Sequence, residues 1–195
     1  TQGVSSAASD VYKRQNYAYA ELDLDKRNPF SRLFIKGEGE DSYKRGTFTN
    51  EQLKWGYDKA LASGSQIKLL MPLLGETGCR LAEIVGLKLD DIDLENDLIY
   101  IRPNAARRLK TRSSQRTLPL VGYAKLVAGR ALQHADEDFL FPRYIRDGKC
   151  YATHASNALN KWLKKDFDSL TAHSLRHTFR DRLRAMECPM DLIDH

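Results

Sequence analysis

A chain of 195 residues has room for one domain of ordinary size with a short appendage, and it can bury a sizeable core. Hydrophobic residues make up 42% and charged residues 29%, and no run of about 18 uncharged apolar residues occurs, so a helical membrane protein is excluded. The formal net charge is +5, with an isoelectric point near 9.1, a balance that points to an anionic partner.

In chain order, residues 1–15 are small and polar with no apolar period. They look like read-through of a sequencing adapter and are read as a non-native or disordered segment. Residues 16–46 begin with a short helix-compatible stretch and continue through Asn28-Pro29, Gly37, Gly39 and Gly46, as a tail of something larger followed by a linker. A folded domain is expected from residue 47. Thr49-Asn50-Glu51-Gln52 has the form of a capping box and leads into Leu53, Trp55, Tyr57 and Leu61, so a helix starts there. A second helix carries Ile67, Leu69, Leu70, Met71, Leu73 and Leu74 and stops at Gly78, with Pro72 as a kink or a boundary. A third begins near Arg80 and buries Leu81, Ile84, Val85 and Leu87. Leu98 to Ile101 and Arg116 to Leu120 have strand character and are joined by a basic loop around Lys110. Helical patterns return near 122–133, 153–165 and 173–187, and Pro189 opens one more turn. The expected class is α+β, mostly α, with helices around one small antiparallel sheet.

Charge is segregated along the chain. Residues 98–135 contain no Asp or Glu but carry Arg102, Arg107, Arg108, Lys110, Arg112, Arg116, Lys125 and Arg130, whereas residues 81–97 carry Glu83, Asp90, Asp91, Asp93, Glu95 and Asp97 against Lys88 alone. Two separately solvated faces is one reading, and a nucleic-acid surface is the other. Cys79, Cys150 and Cys188 fit neither a disulfide framework nor a C-x-x-C site and are read as reduced thiols in a cytoplasmic protein.

Three segments carry chemistry: T-G-C-R-L-A-E-I (77–84), L-K-T-R-S-S-Q-R-T-L-P-L (109–120) and H-S-L-R-H-T-F (173–179). Singly, each has a plain explanation: Gly78 caps a helix, Lys110 is a loop lysine, and His173 and His177 pack against a core. Zinc is not expected at the two histidines, because the Glu of H-E-x-x-H and a third ligand are both lacking. Together, the segments supply what metal-free phosphodiester chemistry requires. The transition state spreads negative charge over non-bridging oxygens, which arginine forks grip bidentately while staying protonated. Arg80 and Arg176 suit that role. Lys110 can protonate the leaving deoxyribose oxygen, and His173, one helical turn before Arg176, can bond a phosphate oxygen or move a proton. Glu83, one turn after Arg80, can orient it by ion pairing.

These segments resemble the motifs of the tyrosine recombinases, or phage-type integrases: T-G-x-R-x-x-E, a K-T-x-x-S-x-R-x-x-P-L hairpin and H-x-L-R-H-T-F, in order and spacing over residues 47–195. The resemblance implies the tyrosine recombinase catalytic-domain fold. It also implies site-specific DNA recombination and integration by transesterification through a 3′-phosphotyrosyl intermediate. It places Arg80, Lys110, His173 and Arg176 in catalytic positions and Glu83 and His177 in supporting ones. Arg107, Arg108, Arg112 and Arg116 are expected to face DNA. No cofactor is implied; the partners are double-stranded DNA and, for the full-length protein, three further copies in a homotetramer on synapsed DNA.

The sequence departs from the family at its end. All nine tyrosines lie at or before Tyr151, upstream of the His173 segment, and His195 comes too early to be the family's second histidine. The expectation is a catalytic domain incomplete at its C-terminus, after the tail of an N-terminal core-binding domain, and inactive for want of a nucleophile. The alternatives are a non-enzymatic DNA-binding remnant or regulator, and a type IB topoisomerase-like enzyme.

Overall fold

The structure, a computed structural model, describes residues 46–109, 111 and 114–189. They belong to a unit spanning Arg45–His195, and the expectations for residues 1–15 and 16–45 fall outside the described residues.

Helix α1 (Asn50–Ser63) starts as its sequence requires: Gln52 N–H donates to Thr49 Oγ1 (3.2 Å), and Thr49 N–H donates to Gln52 Oε1 (2.9 Å). Helix α2 (Gln66–Thr77) is buried without a break from Leu69 to Gly75 and is correspondingly the central helix, packed against every other α-helix among the described residues. Leu69, Leu70, Met71, Leu73 and Leu74 are fully buried along it, each stabilising the fold by about 2 kcal/mol. Pro72 neither bounds nor ends α2. It sits inside the helix, where the burial of its neighbours outweighs a missing backbone hydrogen bond.

A short helix α3 (Leu81–Val85) follows, and then a three-stranded antiparallel sheet in the order β1 (Ile92–Asp93), β2 (Leu98–Ile101), β3 (Arg116–Pro119). The expected class is thus observed, helices around a small antiparallel sheet. Strand β2 alternates, with Ile99 and Ile101 buried and Leu98 and Tyr100 half-buried. The register sets Ile101 opposite Arg116 and Ile99 opposite Leu118. Paired residues share a face, so Arg116 and Leu118 both turn towards the core, while Thr117 and Pro119 face out. Pro119 is tolerated because β3 is an edge strand.

Helix α4 (Gly122–Leu132) leads to a two-stranded sheet, β4 (Ile145–Arg146) with β5 (Lys149–Cys150), which the sequence pattern had not suggested. Its turn is Asp147-Gly148, both residues at positive φ. Helix α5 (Ala152–Leu163) buries Ala155, Leu159 and Leu163 at four-residue spacing. Helix α6 (Ala172–Ala185) is anchored at its start by Asn160, whose Oδ1 accepts from Ala172 N–H (2.8 Å), and through Thr178, whose Oγ1 accepts from Phe48 N–H (2.8 Å).

The acidic and basic stretches do not form two separate solvated faces. They fold onto each other: Glu83 pairs with Arg116, Asp91 with Arg102, and Asp97 with Lys125.

Candidate active site

The site is built at the turn between α2 and α3. Gly78 ends α2 in the left-handed conformation (φ 62°), and a Cβ there would run into the ring of Phe179 on α6. Glycine therefore serves twice: it allows the reversal, and it lets α6 come close. Its carbonyl accepts a hydrogen bond from Nη1 of Arg176, also on α6, so the turn that delivers Arg80 also fixes Arg176. These two arginines, 96 positions apart, meet across one glycine.

Arg80 stands at the N-terminus of α3 and Glu83 one turn later. Arg80 donates twice to that carboxylate, from its backbone N–H to Oε2 (2.9 Å) and from Nη1 to Oε1 (2.8 Å). Nη1 also donates to Ser114 Oγ (3.2 Å), and the Ser114 and Thr111 hydroxyls lie 2.8 Å apart. Arg116 approaches Glu83 from the sheet, its Nη2 donating to Oε2 (3.0 Å) and to Cys79 Sγ (3.3 Å), and its Nη1 to Ser114 O (2.7 Å). The Glu83 side chain is only 4% exposed. Burial pushes its carboxyl pKa up, but hydrogen bonds from Arg116 and from the backbone and side chain of Arg80 outweigh that and hold it below the usual carboxylate value. The buried Cys79 thiol is pushed up to about 11, by burial above all, and stays protonated at neutral pH.

The half-buried Arg176 has a guanidinium pKa below the ordinary arginine value. Burial is the main cause and the like charge of Arg80 the next, while Glu83 opposes both. Three guanidinium groups thus share the neighbourhood of one carboxylate. The excess is positive, and an arginine cannot relieve it by deprotonation at neutral pH. Such a place is stabilised by an anion with several oxygens, which is what a phosphodiester offers.

Of the other expected residues, His173 is exposed in the first turn of α6, one turn before Arg176 and on its side of the helix. The His173 and His177 rings stack edge to face with centroids 4.7 Å apart. Arg108 is exposed. Lys110 and Arg112 lie outside the described residues.

Two expected DNA-facing arginines are turned inward instead. Arg107 is 3% exposed, its Nη1 donating to Glu83 O and its Nη2 to Arg102 O, with Gly86 leaving room for its stem. It ties the loop after β2 to α3 and offers nothing to solvent. Arg116 is 12% exposed and engaged as described, because its strand position shares a face with Leu118. Ser114 and the Gly78 carbonyl escaped the sequence reading. Ser114 is the serine of the K-T-x-x-S-x-R segment, so its motif was visible while its partner was not. A cavity of about 470 Å³ lined by Tyr57, Glu76, Tyr123 and Arg182 holds none of these groups.

Residues 48–195 match the model of the Phage integrase family. The chain belongs to that family. Curated members similar to it include the transposase of transposon Tn916 from Enterococcus faecalis and that of Tn1545 from Streptococcus pneumoniae, each 27% identical over 194 residues. The match takes in 86% of this chain and 48% of either relative, so the chain spans about half the length of the family members it matches. In fold it is similar to the integrase of transposon Tn1549 in complex with a circular intermediate DNA, with a TM-score of 0.70, 19% identity, and coverage of 97% of this chain and 69% of that one. It is also similar to XerA recombinase, with a TM-score of 0.59, 20% identity, and coverage of 90% and 60%. Both share the integrase fold described above.

Proposed function

We propose that this chain carries the DNA-cleaving domain of a site-specific recombinase of a mobile element, acting in the cytoplasm on double-stranded DNA. The observation that carries this reading is the pairing of Arg80 and Arg176 through the Gly78 turn, with more guanidinium than carboxylate charge around them. Family membership and the DNA-bound state of the Tn1549 integrase support it.

In the proposed reaction, Arg80 and Arg176 hold the non-bridging oxygens of the scissile phosphate. A tyrosine oxygen forms a bond to phosphorus as the bond to the deoxyribose O5′ breaks. Lys110 gives the proton that O5′ takes up, and His173 bonds a phosphate oxygen or carries the tyrosine's proton away. A 5′-hydroxyl from another duplex then attacks the phosphotyrosine, reversing these steps. Glu83 and His177 support the arginines and His173. No external energy source enters, because one ester replaces another. The full-length protein works as a homotetramer on synapsed DNA.

The nine tyrosines of residues 1–195 all precede the His173 segment, so we place the attacking tyrosine outside this set: the 195-residue chain binds DNA and forms no covalent adduct. The test is an incubation with labelled duplex DNA over a salt series, followed by denaturing electrophoresis. Binding is expected to weaken steeply with salt, with a log-log slope of roughly −0.9 per phosphate contact, and no adduct is expected. Affinity indifferent to salt would overturn the DNA-binding reading, and an adduct would place the nucleophile among the nine.

A further inference from the structure

A carboxylate is an odd component for a phosphate site, since it repels the ligand. Glu83 is nevertheless buried at the centre of this one and bonded on both oxygens: Oε1 accepts from Arg80 Nη1 (2.8 Å), and Oε2 accepts from Arg80 N–H (2.9 Å) and Arg116 Nη2 (3.0 Å). Arg116 reaches further. Its Nη1 binds Ser114 O (2.7 Å), and Ser114 Oγ is the other acceptor for Arg80 Nη1 (3.2 Å). Both residues that orient the Arg80 guanidinium are therefore held by one arginine, Glu83 at its carboxylate and Ser114 at its backbone carbonyl, and that arginine is itself 12% exposed.

Resting on the reading of this site as a phosphate grip, the geometry points to Arg116 as a positioning residue: it neutralises Glu83 and fixes Ser114, so that Arg80 is aimed by its partners without being cancelled by them. Two features carry the assignment. The first is register. Opposite Ile101 and beside Leu118, Arg116 cannot swing out to a DNA backbone without leaving the core face of β3. The second is charge. Without Arg116, Glu83 keeps Arg80 as its sole bonded cation, and the pair becomes locally neutral just where a phosphate must be attracted. Arg116 supplies the positive charge that Glu83 consumes, and Glu83 supplies the orientation that free arginines lack. Cys79 is the third contact of the Arg116 guanidinium, which donates to its Sγ (3.3 Å).

A double-mutant cycle separates this role from direct DNA contact. The 195-residue wild type, Arg116→Gln, Glu83→Gln and the double variant are titrated with a labelled duplex over a salt series, with thermal unfolding of each recorded alongside. The expected result is that Arg116→Gln raises Kd on the order of tenfold in the Glu83 background, as for one lost charge-assisted hydrogen bond. In the Glu83→Gln background it has little effect and leaves the salt slope unchanged. Equal losses in both backgrounds, with the slope reduced by about 0.9 in each, would make Arg116 a phosphate contact and overturn the inference. Should Arg116→Gln not fold, Arg116→Lys gives the same cycle. A lysine reaching one partner still weakens binding in the Glu83 background alone under the positioning role, and binds normally in both if Arg116 touches DNA. Arg176→Ala is the control for the underlying reading. If it binds DNA as tightly as wild type, the phosphate grip itself falls, and this inference with it. If it binds weakly while the Arg116 cycle is additive, only the role of Arg116 is refuted.

Discussion

Two buried carboxylates of the same acidic stretch, Glu83 and Asp91, each meet an arginine from the basic stretch, and they end in opposite electrostatic situations. Asp91 accepts Arg102 Nε on one oxygen (2.6 Å) and Lys88 N–H on the other (3.0 Å), and the Arg102 guanidinium caps Asp90 O while half exposed. One carboxylate is bonded to one guanidinium, whose side chain stands half in solvent, with the buried Arg107 guanidinium as a further cation near it. At Glu83 the carboxylate is outnumbered by Arg80, Arg116 and, nearby, Arg176. An arginine–carboxylate pair alone is therefore no sign of function. The sign is a surplus of cations held close together by the backbone, because the fold pays for that repulsion only where an anion is to come.

Removing each carboxylate should widen this contrast. Glu83→Ala leaves two partly buried guanidinium groups without their counter-ion and is expected to cost about 3–5 kcal/mol in urea unfolding. The pH profile follows in sign. Because the folded-state pKa of Glu83 lies below its unfolded value, its contribution is complete at neutral pH and is lost as pH falls below the ordinary Glu value of about 4.3 and through the lower folded value. Glu83→Gln should lack that part of the acid limb, as read by unfolding free energies between neutral pH and acid. Gly78→Ala strikes the turn that joins the arginines. The left-handed backbone and the Phe179 ring together should cost about 2–4 kcal/mol, measured the same way. Asp91→Asn should cost less, about 1–2 kcal/mol, because the exposed Arg102 turns to water and the amide oxygen still accepts from Lys88 N–H. Lys125→Ala, at the exposed pair with Asp97, should change stability by less than about 1 kcal/mol. If Asp91→Asn cost as much as Glu83→Ala, the distinction between the two carboxylates would be lost.

Much of this contrast is legible in the sequence, for definable reasons. The Thr49–Gln52 capping box, the stop at Gly78 and the alternation of Leu98 to Ile101 are local signals, and the structure shows each in its place. The three boxes are legible as chemistry because their residue types answer one requirement. Long-range choices were hidden. Arg107 and Arg108 are adjacent and alike in sequence, but only Arg107 has Gly86 opposite its stem and two carbonyls to satisfy, so it is buried and Arg108 is not. Arg116 alternates with Leu118, a signal of its inward face outweighed by the basic run around it. The β4–β5 hairpin went unread although Asp147-Gly148 is a strong turn signal, since strands of two residues show no alternation. Pro72 lies within a helix against its local preference because packing on every side of α2 outweighs it.

Arg80 and Arg176 are expected to share one anion, and Arg102 is not. Titration of the ¹⁵N-labelled 195-residue chain with inorganic phosphate, following the arginine Nε–H resonances, tests it directly. The Arg80 and Arg176 signals should shift along one saturating curve while the Arg102 signal stays in place. Independent curves for Arg80 and Arg176, or a response of Arg102 equal to theirs, would contradict that expectation.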